Sequence, residues 1–71
     1  IVRWTPDRMN QLEAAVRRGG RVALRRRGGE YVVVALRIQS SRRQDVLVGR
    51  LPMTGEELEF PLDQLEWFQA L

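Results

Sequence analysis

The chain contains no cysteine, no histidine and no lysine. Without cysteine there is no disulfide, no thiolate nucleophile and no Cys-based zinc site. Without histidine the usual acid–base group of neutral pH is missing, and a Ser-His-Asp triad with it. Aromatics are sparse: two tryptophans, two phenylalanines and one tyrosine. Apolar runs are short. The longest is Val32-Val33-Val34-Ala35-Leu36, far below the roughly 20 residues of a membrane-spanning helix. No signal-peptide pattern is present. The lack of cysteine makes a cytoplasmic address the expectation. Neither a cofactor nor a metal is expected. The chain opens on Ile1, so its 71 residues are expected to belong to a longer protein.

What is abundant is arginine. All twelve bases are arginine, against nine acids, for a net charge of +3. Residues 1–50 hold every arginine against Asp7, Glu13, Glu30 and Asp45, a net +8. Residues 51–71 hold Glu56, Glu57, Glu59, Asp63 and Glu66 and no base, a net −5. A basic surface for an anionic partner follows, or else two parts that neutralise one another.

A mass of 8.3 kDa allows one domain, residues 1–71. Thr5-Pro6-Asp7 is a helix start: a capping hydroxyl, a proline suited to the first turn and an acid at the positive end of the dipole. Met9, Leu12 and Val16 form one apolar stripe, and Gly19-Gly20 stops the helix, which is expected over 5–18. The period then changes to two. Strands are expected at 21–27, 30–38, 45–51, 56–60 and 66–70. Leu58 and Phe60 should point inward, with Glu57 and Glu59 outward. Gly49 marks a bulge or bend.

The first hairpin admits two registers. A two-residue turn at Gly28-Gly29 pairs Arg26 with Tyr31. A three-residue loop, Arg27-Gly28-Gly29, pairs Arg25 with Tyr31. It also gathers Val22, Leu24, Val32, Val34, Leu36 and Ile38 on one face. The second gives a continuous apolar face and is the expected one. Val32 and Val34 should then be more buried than Tyr31 and Val33, and Val34→Asp should unfold the chain.

One N-terminal helix followed by four or five short, bent antiparallel strands predicts a mainly β fold, a small SH3/Sm-like barrel, with an open four-stranded sheet carrying one packed helix as the alternative. Phe60-Pro61-Leu62-Asp63-Gln64-Leu65 resembles the F-x-L-D-x-[IL] ending of WYL domains, Sm-like barrels of bacterial transcription regulators. Leu62-Asp63-Gln64-Leu65-Glu66-Trp67-Phe68 is similar to the L-D-x-I-x-x-F ending of the Rho-inhibitor Rof family, another Sm-like barrel preceded by a helix. The Trp-Tyr-Leu triplet of WYL domains is absent, and Val46-Leu47-Val48 occupies the comparable strand. The resemblance implies the fold and a regulatory setting. It carries over no binding residue.

Catalysis is not expected. Glu57 and Glu59 alternate outward on one strand rather than converging across a cleft. Gly28-Gly29 lacks the pattern of a phosphate loop and reads as a turn. The arginines are the candidate site. In the expected register Arg21, Arg25, Arg27, Tyr31 and Arg37 share the outer face, extended by Arg42 and Arg43 from the next loop. Arginines around a ring suit single-stranded nucleic acid. The competing reading is a protein-interaction module or small subunit. It would dock an acidic protein surface, an oligomer mate or a neighbouring domain through Trp67, Phe68 or a strand edge.

Overall fold

The computed structural model describes residues 1–71. The helix α1 spans Pro6–Arg17. Thr5 is its N-cap, in extended conformation, and its hydroxyl accepts from the Arg8 amide at 3.2 Å. Arg18 and Gly19 close the other end, with Gly19 at φ +60°, a conformation that costs glycine nothing. Leu12 and Ala15 are fully buried, and Met9 and Val16 pack partly buried beside them. The stripe read from the sequence is thus the buried face.

Five strands follow: β1 Arg21–Arg26, β2 Gly29–Ser41, β3 Gln44–Arg50, β4 Glu57–Pro61 and β5 Leu65–Ala70. A 3₁₀ turn, Leu62–Gln64, joins the last two. They form one antiparallel sheet in the order β4-β3-β2-β1-β5. The fold is mainly β with one N-terminal helix, in a small barrel-like form whose sheet is not closed. The curl brings β1 to β4, three places away in the sheet, where Arg26 Nη1 donates to the Glu59 carbonyl at 3.0 Å. Two irregularities support the bend, one in the β2–β3 register between Ala35 and Arg37, the other in β1–β5 between Arg25 and Arg26.

Glycine at position 49 makes the first of these possible. A Cβ there would lie 2.6 Å from Val33 Cγ2 and 2.8 Å from Val33 Cβ. The core is Leu12, Ala15, Val22, Leu24, Val33, Ala35, Leu47, Phe60, Leu62, Leu65 and Phe68. Trp4 closes one side, stacked on Phe68 at 5.2 Å with its indole N–H bonded to the Leu62 carbonyl.

The first hairpin departs from both registers considered. The turn sits one residue earlier, on Arg27-Gly28, and pairs Arg26 with Gly29, Leu24 with Tyr31 and Val22 with Val33. Arg27 and Gly28 have φ +51° and +75°. Two successive left-handed residues are what a two-residue turn needs to follow the twist of its strands. Val33 is fully buried, while Val32 is 44% exposed and Val34 half-buried. The order expected for Val32 and Val33 is reversed. β2 is apolar on both faces, so alternation does not choose between them.

Candidate arginine face and its exposed tryptophan

Residues opposite one another in an antiparallel pair share a face, so the register assigns every side chain. The outward face of the β5-β1-β2-β3 region carries Trp67 and Gln69 from β5. It carries Arg25, Ala23 and Arg21 from β1, Glu30, Val32 and Val34 from β2, and Arg50 from β3. Trp67 stands directly across from Arg25 and is 38% exposed. Arg21 and Arg50 flank Val34 from either side, about 10 Å apart over two strand spacings.

The expected site residues divide accordingly. Arg21 and Arg25 lie on the outer face as expected. Tyr31 does not. It points inward across from Leu24 and meets Phe60 edge-on at 5.2 Å. Arg26, on the inner side, lies 5.0 Å from the Phe60 ring and 5.9 Å from that of Tyr31. The exposed ring beside Arg25 is therefore Trp67, which the sequence reading had assigned to the partner surface. Phe68, grouped with it there, is 3% exposed. It belongs to the core, between Trp4 and the Arg8 guanidinium, whose Cζ lies 4.0 Å from its ring.

Arg27 occupies the hairpin turn, exposed. Glu66 fastens that turn, accepting from the Gly28 amide at 3.0 Å and standing 3.3 Å from Arg25 Nε. The Arg25 contact pairs charge without hydrogen-bond geometry. Arg37 reaches over β3 to Glu57 at 3.6 Å. Val48 lies beneath that crossing, on the same face as Arg37 and Glu59, and is almost wholly buried. Arg37 thus covers apolar surface as much as it presents charge. Arg42 and Arg43 form the tip of the β2–β3 hairpin, both at positive φ. The tip lies eight residues beyond Val34 on β2, up to about 26 Å along the strand. They do not extend the Arg21–Arg25 row.

Two arginines make ion pairs, Arg25 and Arg37. Arg8, Arg18 and Arg26 bond to carbonyl oxygens. The side chains of Arg3, Arg17, Arg21, Arg27, Arg42, Arg43 and Arg50 have no hydrogen-bond or ion-pair partner in the fold. The basic and acidic parts of the chain therefore neutralise one another only locally. No group of three or more carboxylates gathers as metal ligands would. No helix is long and apolar enough to cross a membrane.

The positions that match the family endings, Phe60, Leu62, Leu65 and Phe68, are buried, while Trp67 between them is exposed. They pack the corner between β4 and β5. No protein-family profile and no curated protein matches the chain.

Proposed function

We propose that the chain is a cytoplasmic, non-catalytic nucleic-acid-binding module. Single-stranded RNA or DNA crosses the outer face of β5, β1, β2 and β3. A base stacks on Trp67, and phosphates meet Arg21, Arg27 and Arg50. The observation that carries this reading is one exposed indole on a face that also holds Arg21 and Arg50, with Arg27 at its adjoining turn, three arginines that have no partner in the fold. Flat rings take bases of any identity, and guanidinium groups take phosphates, so such a face binds strands with little sequence preference. The resemblance of residues 60–68 to regulatory small barrels is in keeping with a role in transcription or RNA control.

The test is fluorescence anisotropy of a labelled single-stranded oligonucleotide across a salt series. Three phosphate contacts predict a log–log slope near −2, about 0.7 per contact on single strands. Arg21→Ala and Arg50→Ala should each flatten the slope by about 0.7. Trp67→Ala should cost about 1–3 kcal/mol of binding without changing it. No binding at low salt, or a slope unchanged by both arginine substitutions, overturns the reading.

Val32 favours a second reading. Its exposed side chain lies among Ala23 and Val34 on the same face as Trp67. An apolar strip rimmed by arginine also suits an acidic protein surface, as in an interaction module or a small subunit of a larger complex. Val32→Ser separates the two: it removes apolar docking and leaves phosphate contacts intact.

A further inference from the structure

Away from that face, a cleft of about 360 Å³ opens between the start of α1 and the β2–β3 hairpin tip. Its apolar wall is Trp4, Met9 and Leu62, and its polar rim is Arg42, Arg43, Gln44, Asp45 and Asp63. A pocket of this size with one apolar wall and a few converging polar groups is the usual form of a small-ligand site. The rim is not self-satisfied. Asp45 accepts from the Ser40 hydroxyl at 2.8 Å. Asp63 has only a long contact, 3.5 Å from Gln44 Nε2 to Oδ1, and its other oxygen has no partner. The two guanidinium groups have none.

We infer that this cleft is a nucleobase pocket, selective for a base whose hydrogen-bonding edge carries an exocyclic amine donor, adenine, cytosine or guanine, over uracil or thymine. The inference rests on the nucleic-acid reading above and deepens it by adding a specific subsite. The base lies against the apolar wall. Asp63 accepts from its amino group, as carboxylates accept from cytosine N4. The adjoining phosphate meets Arg42 and Arg43. A free amino acid would also satisfy a pocket of both charges. The flat indole in the wall and the two unpaired arginines favour a nucleotide.

The experiment uses short single-stranded oligonucleotides that differ only in one central base. Adenine, cytosine or guanine is expected to bind at least about fivefold more tightly than uracil or thymine. Asp63→Ala should erase that preference while leaving the weaker oligonucleotides bound as before or slightly better, since it removes a negative charge. Asp63 is exposed, so circular dichroism should show an unchanged fold. Titration with cytidine or guanosine monophosphate, followed by NMR, should move the Trp4 indole signal before that of Trp67. Salt-sensitive binding with no base preference and a static Trp4 signal overturns the pocket and leaves the proposed function standing. Absence of binding to every oligonucleotide overturns both. A Trp4 shift with glycine or glutamate, and none with either nucleotide, overturns the nucleobase assignment.

Discussion

Alanine at position 49 is the sharpest test of the packing. The added Cβ would lie 2.6 Å from Val33 Cγ2 and 2.8 Å from Val33 Cβ. Methyl groups in ordinary contact are about 3.5–4.0 Å apart, so roughly 1 Å of overlap must be relieved. Val33 cannot rotate away from it. It is β-branched and stiff at χ1, it is fully buried, and its Cβ moves only with the backbone of a central strand. Overpacking of this kind costs about 1–3 kcal/mol. A staple-free core of this size seldom supplies more than about 3–5 kcal/mol. Gly49→Ala should therefore lower Tm by roughly 4–8 °C for each kcal/mol lost. Thermal melting followed by circular dichroism measures this. A double-mutant cycle with Val33→Ala should show favourable coupling, because removing the valine methyls relieves the closest of the two contacts. An unchanged melting curve for Gly49→Ala would refute the close approach of β3 to β2, and with it the bend that shapes the sheet.

The hairpin register is tested by a pair of charges: Val33→Asp should abolish the cooperative melt, while Val32→Asp, one residue away on the exposed side, should leave it nearly intact. The opposite pattern would restore the register expected from the sequence. Leu12→Ala should cost about 2–5 kcal/mol by opening a cavity between α1 and the sheet, read by urea denaturation, and a loss below 1 kcal/mol would mean the helix is not docked as described.

The helix was legible because its signals are local. Thr5, Pro6, Asp7 and Gly19 each act within one turn of their own position, and the stripe of Met9, Leu12 and Val16 needs only the helical period. The five strands and the inward Leu58 and Phe60 were legible for the same reason. β2 was not. Its unbroken run Val32–Leu36 offers apolar side chains to both faces, so sequence alternation carries no choice of register. The choice fell to the turn, where Arg27 adopts a left-handed φ that nothing in an arginine announces, and to Glu66, held against that turn from a strand 38 residues away.

The site follows the same division. Composition alone determined that every cationic side chain is an arginine and that thiol, imidazole and lysine amine are absent. Which arginines remain free was decided by tertiary structure, because pairing depends on where β4 and β5 bring Glu57 and Glu66. The register also exchanged the aromatic partner, turning Tyr31 inward against the core and leaving Trp67 beside Arg25. A one-residue step reverses every side chain of a strand. The amino-acid order fixes which groups exist on a strand, and only the pairing of strands decides which of them meet solvent.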